Sequence, residues 1–551
     1  MVKYYALLAR ETGESHKAIA STLDTSSFIF EALVNSPTTS VGMAVHVITT
    51  HEVHGTDSSL LTSLPCPLKG GPMDHMVYPF VPIETCFVYR IPESCTDESD
   101  FISPLRLQQA MSLLLDNYPH LTGRFQKSPE DNTFEIANFG SGVQLLLARC
   151  ETTLNDIAAA NTHTGRLNMG NLPHGGESLT PPFDPTIEGI CRDPILSIQH
   201  TRFLCGGVAL GIRVHHMACD ACGFFQLSRD LAEIYRGLAE GQIPKLQRPP
   251  EFQSYLSDPG ALSPEERDAA LKYPQSVYYI EGRSDDKKQL DGLSKHTPNP
   301  SVIGRMLRLS SDDLVALKTL ASGPDEKSWV STFEALTGYL YQLIYQTRIK
   351  ALVTQGHTIE KAASQISTGL FASINLRGSS RLDLSPRYFP NALYAPYTYA
   401  PHELLSSGKV SEVAGFVHNL IRSVDKERII QTTRWVAAQP DKSLIKVNYT
   451  FANGSFTVSQ WSGFKMYQGV HFETDRAGNP VHPDLVAPPF TNISLVDGLA
   501  MILSSEEDIE NASATGDKSS SMPRAIDVNL TMSEPLWLIL DSDPQFCRLY
   551  R

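Results

Sequence analysis

The sequence predicts an α/β protein built from two large domains, and three observations carry that prediction. At 551 residues the chain is too long for one compact core, and domains of roughly 200 residues are the expected unit. Segments with the period-two alternation of strands take turns with segments whose apolar residues recur at helical spacing. A stretch rich in proline, glycine and charge, from about Gln242 to Pro300, separates two such series and reads as a crossover. The expected division is an N-terminal extension of no legible role at 1–65, a first half at 66–255, a linker at 256–300 and a second half at 301–551.

Composition narrows the class. With 41% hydrophobic and 19% charged residues the chain is ordinary globular protein. Its net charge of -14 argues against nucleic acid or an anionic membrane surface as partner. No run approaches the ~18 apolar residues of a membrane span, and "MVKYYALLARETGESHK" lacks the apolar core of a secretory leader. Nine scattered cysteines fit a reducing compartment, so a cytoplasmic protein is expected.

The elements follow in order. Met43 to Val53 reads as a strand, as does "ETCFVYRIP". Leu105, Leu107, Met111, Leu114 and Leu115 recur at near-helical spacing until Pro119 ends the run. Gly206-Gly207 joins two strands in "LSIQHTRFLCGGVALGIRVHH". Phe224, Leu227, Leu231, Ile234 and Tyr235 then share one face of a helix. The second half opens with the strand "GRMLRLS" and a helix whose Ser331 and Glu334 form a capping box. The polar, low-complexity stretch "SSEEDIENASATGDKSSSMP" reads as a loop.

One stretch carries chemistry: "RVHHMACDACGFF", Arg213 to Phe225, at the junction of a strand and the helix that follows. His216, Cys219 and Cys222 offer metal-ligand types, but a structural zinc site wants a second Cys/His pair and none lies nearby. The Cys-x-x-Cys lacks a thioredoxin-like context, so packing thiols are the simpler reading. His-x-x-x-Asp occurs twice, at His216–Asp220 and His471–Asp475, so spacing alone leaves a general base and a histidine merely satisfied by a carboxylate both open.

"HHMACDACGFF" resembles the HxxxD motif of the BAHD acyltransferases, relatives of peptide-synthetase condensation domains. Further stretches are similar to the same family in the same order: "LLLDNYPHLTGRF", "SWVSTFEALTGYLYQLIYQTR", "ASINLRGSSRLDLSPRYFPNALY", "FTVSQWSGF" and "AIDVNL". Together they span about Leu68 to Arg551. The resemblance implies two chloramphenicol-acetyltransferase-like domains with mixed sheets and an active-site channel between them. It implies His216 as general base, Asp220 as its structural neighbour paired with Arg377, and Ser459 and Trp461 as oxyanion donors. It also implies no metal, no permanently bound cofactor, an acyl-CoA (acetyl-CoA) co-substrate, a small natural-product acceptor and a monomer.

The chain departs from the family at its second motif, DFGWG. Alignment on Trp461, Phe464 and Tyr467 places that motif at "VHFET", Val470 to Thr474, where both glycines and the aspartate are missing. Ala221 also replaces the glycine that follows the aspartate. The expected function is transfer of an acyl group, acetyl foremost, from CoA to a hydroxyl or amine of a secondary metabolite, as in the divergent fungal branch. The alternative keeps the fold but takes a carrier-protein thioester, or turns His216 to another acid-base reaction such as cyclisation.

Overall fold

The computed structural model describes residues 44–93, 101–509 and 525–551, apart from gaps at 163, 242–243, 259, 283–300, 324–328, 450 and 452. Twelve strands make two six-stranded sheets. In chain order these are β1 (Val45–Val53), β2 (Pro82–Tyr89), β3 (Val143–Cys150), β4 (Leu196–Phe203), β5 (Val208–His215), β6 (Val302–Ser310), β7 (Gly369–Ala372), β8 (Tyr397–Tyr399), β9 (Phe456–Gln460), β10 (Leu485–Ala487), β11 (Leu499–Ser504) and β12 (Ala525–Ser533). Four helices matter most here: α1 (Pro104–Asn117), α2 (Ala221–Ala239), α3 (Thr332–Thr354) and α4 (Val410–Arg422).

The first sheet runs β1-β3-β4-β5-β2-β10 and the second β6-β12-β11-β9-β7-β8. Both are mixed. β3 and β4 are parallel in the first, and β9 is parallel to both β7 and β11 in the second. Central strands β2 and β5 are buried along their whole length, as expected of strands covered on both faces. In α2, Phe224, Leu227, Leu231, Ile234 and Tyr235 are each at most 1% exposed, so that predicted face is the docking face. In α1 the pattern holds from Leu107 to Leu115, but Leu105 is 67% exposed. Two residues before Leu107, it points about 200° round the helix, away from the core.

The sheets do not follow the halves of the chain. β1, from the N-terminal extension, is the edge strand on β3. β10, from the second half, pairs with β2 through Leu485↔Val88 and Ala487↔Cys86. Trp461, Met466, Tyr467, Val470 and Phe472 join the first hydrophobic core. Apolar side chains in this loop-rich segment are buried only by reaching across, and β10 closes the open edge of β2. Part of the predicted loop, 510–524, lies outside the described residues. No helix among them is long and apolar enough to cross a membrane.

Candidate active site

β5 ends at His215, and the next residues turn into α2. Asp220 is the N-cap of that helix: its Oδ1 accepts from the Gly223 amide at 3.1 Å. Gly223 is required there, because a Cβ would lie 2.2 Å from the Phe389 carbonyl oxygen. The helix start is thereby held against the "YFPNA" segment of the second half.

Asp220 is 1% exposed and fully engaged. Arg377 donates to both of its oxygens, Nη1 to Oδ2 at 2.8 Å and Nη2 to Oδ1 at 3.0 Å, and the Ala392 amide adds a bond of 2.8 Å to Oδ2. The guanidinium is in turn held by the Tyr388 and Pro390 carbonyls. With every lone pair and proton used, the attraction and hydrogen bonds of this buried ion pair offset the cost of taking its charges out of water. With all its acceptor sites spent, Asp220 is oriented away from any substrate.

His216 lines a cavity of about 1660 Å³ together with Ser459, Trp461, Cys222 and Ala221. Its Nδ1 is buried without a hydrogen-bond partner, while the residue lines the cavity. The His216 carbonyl accepts from Asn391 Nδ2 at 2.8 Å, and Asn391 is fixed by Asp74, which accepts from both its amide and its side chain at 3.0 and 2.8 Å. Burial holds the His216 imidazole below the usual 6.5, with Asp220 pulling the other way. The ring is therefore neutral at neutral pH and able to accept a proton. Asn391 and Asp74 were missed as site residues. Asn391 stood inside a quoted motif, while Asp74 locally does no more than cap its own short helix at Gly71, and its partner Asn391 is 317 positions away.

His215, by contrast, is walled off. Its ring packs edge-on against Phe125 and Phe183 at 5.3 and 5.4 Å, and burial drives its pKa to about 3. Cys219 is buried and Cys222 half-buried, both as free thiols. Among the described residues no group of histidine, cysteine and carboxylate side chains could hold a metal ion.

Ser459 and Trp461, the two expected oxyanion donors, touch each other beside the cavity. Trp461 lies just past β9, and its indole Nε1–H donates to Ser459 Oγ at 3.1 Å. Ser459 Oγ also lies 3.5 Å from Ser373 Oγ, where either hydroxyl can donate, and both side chains line the cavity. The indole is also a packing residue, edge-on to Phe225 at 5.8 Å.

The segment aligned with the missing DFGWG is built differently. Val470 and Phe472 are buried, with Phe472 edge-on to Tyr89 and Tyr235 at 6.0 and 5.3 Å. Glu473 accepts from Tyr235 at 2.6 Å and from Arg106 at 3.1 Å.

Fold and site together define a two-lobed acyl-transfer scaffold with a histidine inside a channel. The profile of the Transferase family matches residues 63–501, and the chain belongs to that family, the BAHD acyltransferases. Among curated relatives it is 23% identical over 368 residues to shikimate O-hydroxycinnamoyltransferase of Nicotiana tabacum, covering 67% of this chain and 76% of that protein. It is 23% identical over 400 residues to eremophilane O-acetyltransferase prx11 of Penicillium rubens, covering 66% and 79%. Among solved structures, Fusarium graminearum TRI101 complexed with coenzyme A and T-2 mycotoxin superposes with a TM-score of 0.62 at 13% identity, covering 88% and 99%. Vinorine synthase gives 0.56 at 13%, covering 92% and 98%.

Proposed function

We propose that this chain transfers an acyl group, acetyl foremost, from a CoA thioester to a hydroxyl of a small secondary metabolite, with His216 as the general base. The observation that carries the reading is a histidine that lines a cavity of about 1660 Å³, with its backbone held by Asn391 and its pKa lowered by burial. The substrates named for relatives include both hydroxyl and amine acceptors. A basic part of the same lining suits the CoA phosphates: Arg381 and Arg422 face the cavity, and burial and then the Arg422 charge lower the Arg381 pKa, with Asp425 pulling the other way.

His216 Nε2 takes the acceptor hydroxyl proton as the oxygen attacks the thioester carbonyl. The tetrahedral oxyanion receives the Ser459 O–H, held in place by Trp461. The intermediate collapses with loss of the CoA thiolate, which takes the proton back from the imidazolium. The products are an ester and CoA thiol, and no acyl-enzyme is needed. A monomer in the cytoplasm, where the free thiols stay reduced, is part of the proposal. The test is a calorimetric titration of the protein with acetyl-CoA, followed by acceptor screening. Saturable micromolar to sub-millimolar binding supports the donor, and no binding up to millimolar contradicts it.

A further inference from the structure

Arg229 differs from the buried arginines near it. It lies on α2 two turns beyond Cys222, on the face that also carries Ala221 and Phe225 and looks toward Trp461 and Phe464. Arg377 and Arg387 each have a carboxylate within 3 Å, Asp220 and Asp230. Arg229 is half-buried in the cavity wall and has no carboxylate partner among the described residues. Its Nη1 donates to the Phe464 carbonyl at 3.1 Å, and the neighbouring Asp230 is taken by Arg387 and Tyr118, both at 2.6 Å. Burial, the largest influence on it, pushes its pKa down against the opposing pull of Cys222 and Asp230, as for a cation partly removed from water.

Two backbone features around it are unusual. Lys465, lining the same cavity with its side chain exposed, sits in the left-handed region at φ 52° and ψ 55°. A lysine gains nothing intrinsic from that conformation. At Gly469, φ 73°, a Cβ would lie 3.2 Å from Arg229 Cδ, so this glycine makes the bed on which the arginine stem rests.

We propose that the Arg229–Lys465 wall of the channel receives an anionic group, a carboxylate or a phosphate, carried by a substrate of the reaction at His216. Eight residues of helix separate Arg229 from the first residue of α2, about 12 Å at 1.5 Å each. The anion is therefore a remote handle on the substrate and not the reacting carbonyl. Arginine supplies the fork that matches a carboxylate or phosphate, and lysine a mobile second charge. The source of the anion is an acidic acceptor or the phosphates of CoA. Naming these two sources rests on the acyl-CoA reading above.

Calorimetric titrations of wild type, R229Q, R229K and K465M with CoA, and with benzoate and benzyl alcohol as matched probes with and without the charge, test this. The expected result is at least a tenfold weaker association of R229Q with an anion, a smaller loss in R229K and a few-fold loss in K465M. If the loss falls on benzoate alone, the anion belongs to the acceptor. If it falls on CoA, the site reads CoA phosphate. R229Q binding CoA and benzoate no more weakly than wild type overturns the proposal. So does an equal loss of benzoate and benzyl alcohol, which would mark a collapsed cavity. Should R229Q fail to fold, R229K and K465M decide, because a charge-reading site predicts the loss in K465M with benzyl alcohol unaffected. If wild type fails to bind CoA, the donor reading fails separately, and the benzoate comparison still decides this one.

Discussion

The chain contains the spacing His-x-x-x-Asp twice, and the two copies have different fates. At His216 the aspartate caps a 19-residue helix, takes both arms of Arg377 and vanishes from solvent. The histidine is left facing a cavity. At His471 the aspartate folds onto its own turn, accepting from the Ala477 and Asn479 amides. That histidine packs against His482 at 5.7 Å, its carbonyl held by Arg236, with its pKa driven to about 4. Identical spacing thus builds a helix cap beside a cavity-lining histidine in one place and a self-contained turn in the other. What separates them is the partner from the far half of the chain.

The sharpest way to break this contrast is to remove each histidine. His216→Ala is expected to lower turnover by about 10²–10⁴, the usual worth of a positioned general base, while the His471→Ala protein stays within a few-fold of wild type. Coupled release of CoA thiol reads both. The aspartates come next. Asp220→Asn leaves Arg377 uncompensated and is expected to cost about 3–5 kcal/mol of folding stability, seen as lost soluble yield and a lower melting temperature. Asp475→Asn should barely move either. A stable, soluble Asp220→Asn protein would mean the pair is not structural.

Within the site, Ser459→Ala should lower kcat by about 10²–10³, as for a lost oxyanion donor. Trp461→Phe keeps an aromatic side chain but removes the indole N–H and some packing volume, so a smaller loss in kcat with little change in KM is expected. Equal losses would make Trp461 a direct donor. The smallest effect is in pH. Burial lowers the His216 pKa, so the acid limb of kcat/KM should lie below 6.5, with activity full above it. An apparent pKa above 6.5 contradicts this. Stability should follow the same sign. His120 and His215 sit near pKa 3 in the folded chain against 6.5 unfolded. Their contribution is complete above 6.5 and is lost as pH falls toward 3, by about 1.4 kcal/mol per pH unit each.

Much of the fold was legible because its cues are local. The strand β5, the turn at Gly206-Gly207 and the buried face of α2 follow from periodicity and turn chemistry within a few residues. The His216–Asp220–Arg377 set was legible only through resemblance, since Asp220 and Arg377 are 157 positions apart. Asp74 gives no local sign of its hold on Asn391, which it reaches from a distant short helix. The contact between Trp461 and Ser459 left no local cue, because it forms where β9 ends at Gln460 and the chain turns. The pairing of β10 with β2 was invisible for a similar reason: a three-residue strand has too little pattern to declare its partner.

The measurement that tests the account most directly is release of CoA thiol from acetyl-CoA, with a pool of alcohol acceptors, by wild type and the His216→Ala and His471→Ala proteins side by side. The account predicts release by wild type and His471→Ala, and background only from His216→Ala. Release by His216→Ala at the wild-type rate, or none from wild type above background, would contradict it.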